Sequence, residues 1–318
     1  QRHLYKLHKP DVNAFVTERT VAHPEPRQLL QQELRKASLL GVTRDNNAIY
    51  LLDWSRDSAV IREIGRLREL TFRMVGEGTG KTRDLDTYDC YYRHLVLWDR
   101  EALEIAGAYR LGEGKALLEK AGINGFYTNT LFRYDPSITH YLSQGLELGR
   151  SFVSPAYWGK ASLDYLWQGL GAYLYHHPDI RYVFGPVSMS ATYPRALTEE
   201  LVYYFSTYYG CPQKLATARH PFQIRPEQVT RLNQRYANLD RQQGMTLLQS
   251  AFQENGLKIP VLFKQYAALF EDGGFQTLVF SSDPDFADCL DGLCMADLSL
   301  LRATRRERYV AARHGSDH

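Results

Sequence analysis

Gln144-Gly145-Leu146-Glu147-Leu148-Gly149-Arg150-Ser151-Phe152-Val153 is the stretch on which the fold turns. Leu146, Leu148 and Phe152 recur at period two, which predicts a strand. Yet the stretch also carries an acid, a guanidinium and two glycines. A buried strand keeps Glu and Arg where they are paired or functional. In a regular strand Glu147 and Arg150 point to opposite faces. A bulge at Gly149 would re-aim one of them and open a gap beside the strand for an extended ligand. An edge strand with a solvated Glu147–Arg150 ion pair accounts for the same residues, so the stretch alone leaves both readings open.

Upstream, residues 48–54 predict a first strand. A helix follows over 59–75, capped by Asp57 or Ser58, with Val60, Ile64, Leu67, Thr71 and Met74 as its inner stripe. Arg68 and Phe72 lie four apart on an adjacent face and can lean into one site. Residues 76–89 form a charged loop holding Glu77, Asp84, Asp86 and Asp89. The loop lacks the glycine and terminal Glu of a calcium loop. It is either a seat for an amine or a solubilising surface loop. Residues 93–98 and 103–111 predict an antiparallel hairpin, and 112–141 read as irregular with a strand at 125–134.

Downstream, residues 155–162 turn into a helix that ends near 177. Its N-terminus is a natural anion seat, although only Gly159 and Lys160 remain of a glycine-rich run. A strand at 181–187, a tyrosine-rich helix to 209, a helix over 226–253 broken at Gly244, a short helix at 260–270 and closing strands at 276–282 and 292–298 complete the pattern. At the front, a basic start (Arg2, His3, Lys6, His8, Lys9) leads to a helix over 26–40. At the end, residues 302–313 carry an arginine-rich run, solvated or facing an acidic protein or a lipid surface.

A length of 318 residues fits one large domain or two ordinary ones, and 44% hydrophobic with 23% charged residues excludes global disorder. A net charge of +2 is too small to indicate nucleic acid. Cys90, Cys211, Cys289 and Cys294 have no zinc spacing, so no metal site is expected and free thiols in a reducing compartment are. No apolar run is long enough to cross a bilayer. The chain opens on Gln1, which predicts a piece of a longer protein.

In this order the elements, and the blocks Arg68-Glu69-Leu70-Thr71-Phe72, Asp84-Leu85-Asp86-Thr87-Tyr88-Asp89, His94-Leu95-Val96-Leu97, Ile105-Ala106-Gly107-Ala108-Tyr109-Arg110-Leu111 and Glu147-Leu148-Gly149-Arg150-Ser151-Phe152-Val153, resemble the GCN5-related N-acyltransferase (GNAT) superfamily. The nearest branch is that of the bacterial ornithine-lipid N-acyltransferases and haemolysin-named proteins, with acyl-homoserine lactone synthases as distant relatives. The resemblance implies an α/β (α+β) fold: a mixed, mostly antiparallel twisted sheet flanked by helices, with splayed central strands. It implies residues 1–47 as a linker and short helix at the tail of a preceding domain, 48–300 as the acyltransferase domain and 301–318 as a basic tail.

The implied reaction moves a (3-hydroxy)fatty acyl group from a thioester to the amine of an amino acid such as ornithine, giving a lyso-amino-acid lipid. The donor is acyl carrier protein, through its phosphopantetheine thioester, or acyl-CoA. The degraded loop at Gly159-Lys160 favours the carrier protein. No cofactor is held permanently. Because a protonated amine is not a nucleophile, Glu147 is expected to act as base and Arg150 beside it. Arg68, Phe72, Arg110, Asp86 and Asp89 are expected around the acceptor, with a structural network as the other reading for the arginines and acids. Ser151, Phe152 and Val153 are expected at the donor, where their N–H groups would hold the oxyanion. Trp167, Tyr203 and Phe205 are candidate acyl-chain liners. The place of work is the cytoplasm, with peripheral association at the inner face of the membrane. A lactone synthase and a non-catalytic carrier-protein-binding module are the alternatives.

Overall fold

A computed structural model describes residues 18–284 and 286–310. The basic start and the end of the arginine-rich tail lie outside the described residues. Ten strands and ten α-helices are described. Eight strands make one sheet in the order β1 (Ser38–Val42), β2 (Ala48–Leu52), β3 (Arg93–Asp99), β4 (Glu104–Glu113), β6 (Gly145–Val153), β7 (Tyr182–Met189), β10 (Cys289–Asp297), β9 (Phe275–Asp283). β5 (Phe132–Tyr134) pairs separately with β8 (Ala216–Ala218). Every pairing in the large sheet is antiparallel except β6 with β7.

Helices cover both faces. α2 (Ala59–Met74) starts at Ser58, whose hydroxyl accepts from the Ile61 N–H. It lays Val60, Ile64 and Leu67 on β2, β3 and β4, together with α1 (Arg27–Leu34). α5 (Ser162–His176) covers the opposite face through Leu166, Trp167 and Tyr173. α6 (Arg195–Tyr209), α7 (Pro226–Arg235), α8 (Arg241–Glu254) and α9 (Val261–Leu269) build the second core against β7, β9 and β10. α10 (Ala303–Tyr309) docks on α5, where Arg308 and Tyr309 both reach Asp164.

The structure corrects several expectations. The helix expected over 26–40 stops at Leu34, and Ser38–Val42 joins the sheet instead. Residue 47 lies in the turn between β1 and β2. Met74, expected on the inner stripe of α2, is exposed. Gly244 does not break a helix. It lies within α8, where a side chain would strike the rings of Tyr204 and Tyr208. The break falls before Asp240, which caps α8 through the Gln243 N–H. The strand expected over 125–134 shrinks to β5. Residues 114–130 become α3 (Gly114–Ala121) and two 3-10 turns, the second being Tyr127–Thr130. That turn matters below, because its leading N–H groups have no helical partner.

Candidate active site

The pairing of β6 with β7 covers only residues 145–147 against 182–184. Beyond it the strands part. Three local features mark the point of divergence. At Gly185 the backbones touch so closely that an added Cβ would lie 2.0 Å from the Leu148 carbonyl oxygen. Next on β7 comes Pro186, which has no N–H to offer a neighbouring strand. On β6 the register against β4 slips between Ala108↔Phe152 and Arg110↔Gly149. The slip is a bulge, and its left-handed residue is Arg150, at φ 49. Gly149 was expected to carry the irregularity, but Arg150 itself does. The bulge brings Arg150 to the same face as Glu147, so both reach Tyr127.

The parted strands enclose a crevice of about 200 Å³ with two unlike ends. One end is apolar, walled by Trp167, Leu170 and Leu174 of α5, Leu262, Tyr266 and Leu269 of α9, and Leu301 and Tyr309. The polar tips here satisfy one another: Trp167 Nε1 donates to the Tyr109 hydroxyl at 3.3 Å, and the Tyr109 and Tyr266 hydroxyls meet at 3.0 Å. Rings rather than dipoles therefore face the space. The other end is polar, formed by Glu77, Tyr127, Arg150, Ser188 and Asp291 with Phe72 and Phe286.

Arg150 is a fixed cation. Its guanidinium lies between the rings of Tyr127 and Phe286, 4.7 and 5.0 Å from their centroids. It donates to the Tyr127 hydroxyl at 3.1 Å and pairs with Asp84 at 3.1 Å and Asp86 at 3.5 Å. Behind this end lies a largely buried charge network. Arg68 and Arg110 are fully buried. Arg68 binds Asp89 at 2.7 Å; Arg110 binds Asp86 at 2.7 Å and Asp89 at 3.4 Å. Burial alone would raise the Asp89 carboxyl, but Arg68 and Arg110 hold it far below the usual carboxylate range. Burial and the neighbouring Arg68 charge push His94 down to about 4, so this histidine is neutral.

The structure thus sorts the expected site residues. Phe72, Arg150 and Ser151 line the crevice. Arg68, Arg110, Asp86 and Asp89 do not; they are the network behind it. Phe152 packs beneath α2 in the core, and Val153 gives its carbonyl to Trp158 Nε1 at 2.8 Å. Gly159 and Lys160 lie away from the crevice, with the Lys160 ammonium 4.6 Å from the Tyr157 ring centroid. Of the three expected acyl liners only Trp167 qualifies; Tyr203 and Phe205 belong to the second core.

Glu147 is buried yet absent from the crevice wall. Its carboxylate accepts from the Thr128 N–H at 2.7 Å, from the Tyr127 N–H at 3.2 Å and from the Tyr92 hydroxyl. The first two donors are the unpaired N–H groups of the 127–130 turn. Burial raises its pKa even so.

Reading the sequence left Glu77 unassigned in its loop and missed Asp291, Ser188, Tyr127 and Phe286. One signal was available. Cys289-Leu290-Asp291-Gly292-Leu293-Cys294-Met295 is an apolar strand with one acid in its middle, the same anomaly that singled out Glu147. Among the described residues, no group of three or more His, Cys, Asp or Glu side chains could hold a metal ion, and no helix is long and apolar enough to cross a membrane.

A sheet opened between two parallel strands, with helices on both faces and a crevice at the gap, is the arrangement expected of the GNAT fold. Residues 67–168 match the acetyltransferase (GNAT) domain family. The chain is 34% identical over 262 residues to a glycine N(alpha)-acyltransferase of Bacteroides thetaiotaomicron, spanning 78% of this chain and 77% of that one. It is 32% identical over 117 residues to an L-ornithine N(alpha)-acyltransferase of Agrobacterium fabrum, over 35% and 39% of the two chains. A solved CoA-dependent acyl-homoserine lactone synthase superposes with a TM-score of 0.35 at 10% identity, over 82% of this chain and 94% of that one. The chain belongs to the GNAT family of N-acyltransferases and is an N-acyltransferring enzyme.

Proposed function

We propose that this enzyme moves a long acyl group from a thioester to the α-amine of a small amino acid, glycine or ornithine in kind, giving a lyso-amino-acid lipid. The observation that carries this reading is the crevice itself: one passage, apolar at one end and charged at the other, threading the gap between β6 and β7. A fatty chain gains about 0.8 kcal/mol per methylene on entering such a slot. The polar end offers what an amino acid asks for, a guanidinium for its carboxylate and acids for its ammonium. Two sequence relatives, one named for glycine and one for ornithine, support the same acceptor class.

The donor in this reading is acyl carrier protein. The turn into α5 keeps one glycine, and Lys160 is turned onto Tyr157, so it offers little for the second phosphate group of a coenzyme. Arg150 binds the acceptor carboxylate. Phe72 packs against the substrate beside Phe286, its ring 5.3 Å away. The Ser151 N–H faces the thioester oxygen. Glu147, Arg68, Arg110, Asp86 and Asp89 act by position: Glu147 holds the 127–128 turn, and that turn carries the Tyr127 hydroxyl against Arg150.

The test is product mass spectrometry. The purified chain is given a 3-hydroxyacyl thioester, on carrier protein or on coenzyme A, with glycine or ornithine. An N-acyl amino acid is expected, formed faster from the carrier protein. Thioester consumption without any amide on either amino acid would reject the reading.

A further inference from the structure

We propose that Asp291, with Glu77 beside it, is the proton acceptor for the incoming amine; this rests on the acyl-transfer reading above. Asp291 sits on β10, between β7 and β9, one strand in from the edge of the sheet. It is 2% exposed, yet it forms part of the crevice wall. An acid in such a place is costly unless it is partnered or functional. Its partners are few. Ser188 Oγ, on β7 beyond the point of splay, donates to Asp291 Oδ1 at 2.5 Å. The Cys289 thiol lies 3.8 Å from Oδ2. Arg150 faces it, but its hydrogen bond and ion pairs run to Tyr127, Asp84 and Asp86 and not to Asp291.

Glu77 reaches the same end from the loop after α2. Among the described residues its carboxylate has no hydrogen bond or ion pair. Among the crevice-lining residues Arg150 is the only cation. The pair is therefore the uncommitted negative charge of this end, whereas the Glu147 carboxylate already takes three donors outside the wall. A primary ammonium, with three N–H donors, fits two such carboxylates.

The titratable and charged groups around Asp291 are Glu77 from the loop, Arg150 from β6, Asp283 from β9 and Cys289 from its own strand. Burial, with the Asp283 charge, pushes Asp291 up to about 7. Burial, with the Asp291 charge, pushes Glu77 up to about 7. Burial and these same acids drive the Cys289 thiol far upward, so it stays protonated. A base is most useful when its pKa lies near the working pH.

The step balances as follows. The Asp291 carboxylate takes one proton from the acceptor ammonium. The freed nitrogen lone pair forms the C–N bond to the thioester carbonyl carbon. As the tetrahedral adduct collapses, the C–S bond breaks, and the second nitrogen proton goes to the leaving thiolate. The products are an amide, a thiol and one proton, which Asp291 returns to water at the polar end.

The experiment uses the purified chain, glycine and a 3-hydroxyacyl carrier-protein thioester, with kcat/KM measured from pH 5.5 to 9. Wild type should lose activity on the acid side with an apparent pKa near 7. Asp291→Asn should lower kcat/KM at pH 7 by roughly 100- to 10,000-fold and flatten that acid limb. Glu77→Gln should move the limb to lower pH, because a neighbouring negative charge is gone. A near-ultraviolet circular dichroism spectrum equal to wild type shows that each variant is folded. A folded Asp291→Asn with turnover within tenfold of wild type and an unmoved limb overturns this assignment alone. A wild-type chain that makes no amide at any pH overturns the acyl-transfer reading and this assignment with it.

Discussion

Replacing Glu147 by glutamine tests whether this buried acid holds structure or performs chemistry. The carboxylate accepts from two backbone N–H groups, at 2.7 and 3.2 Å, and from the Tyr92 hydroxyl. Glutamine keeps one acceptor oxygen and puts an NH₂ where the second oxygen stood. If the oxygen stays with Thr128, the NH₂ meets the Tyr127 N–H, donor against donor. The Tyr92 hydroxyl can rotate and accept, since it already takes the Tyr127 N–H at 2.9 Å. The net loss is one charge-assisted bond and a weakened second, about 2 to 4 kcal/mol. Against a typical domain stability of about 5 to 15 kcal/mol the chain still folds. Urea unfolding at pH 8 measures the loss. The variant should also show a higher KM for the amino acid, because Tyr127 loosens from Arg150. A loss below about 0.5 kcal/mol together with collapse of kcat would refute the structural role and return Glu147 to the chemistry.

Gly185→Ala should push β6 and β7 apart at the point where they diverge, since its Cβ would lie 2.0 Å from the Leu148 carbonyl oxygen; a cost of at least about 1 to 3 kcal/mol is expected by urea unfolding, with activity falling too. Asp291 is held protonated to higher pH in the folded chain than in the unfolded one, at about 7 against 3.8. Its contribution to stability is therefore greatest below pH 4 and declines as pH rises to 7, by about 4 kcal/mol in all. Asp291→Asn should remove that slope, so the variant gains on wild type between pH 5 and 8 in paired urea titrations. Gly171→Ala would strike the Tyr309 carbonyl oxygen at 1.7 Å and detach α10 from α5; an environment-sensitive fatty-acid probe at the apolar end should then report more water than in wild type. Arg150→Ala leaves Asp84 buried beside an absent partner and should cost about 3 to 5 kcal/mol, whereas Arg150→Lys should retain the fold and raise KM for the amino acid.

Much of the fold was legible because it is local. The stripe of α2, the hairpin of β3 and β4, and the alternation in β6 each follow from spacing alone, and the family blocks placed them in order. Errors arose where the partner strand or helix decides. Residues 38–40 read as the end of a helix because nothing local reveals that β2 is free to pair with them. Gly244 read as a break because its neighbours Tyr204 and Tyr208 come from another helix. In the site, Arg68, Arg110, Asp86 and Asp89 were expected around the acceptor, with a structural network as the other reading, and the structure brings them together behind the crevice. Their burial, and hence their exclusion from the crevice, depended on the loop folding over them.

The sequence by itself determined that β6 would carry an acid and a guanidinium into an apolar sheet, because alternation is a property of one strand. Only the tertiary structure decided which of the two reaches the crevice. The Arg150 bulge forms against β4, the donors that enclose Glu147 come from the 127–130 turn, and Asp291 arrives on a strand more than a hundred residues later in the chain. Such a site is made by convergence of distant segments, and no window along the chain contains it.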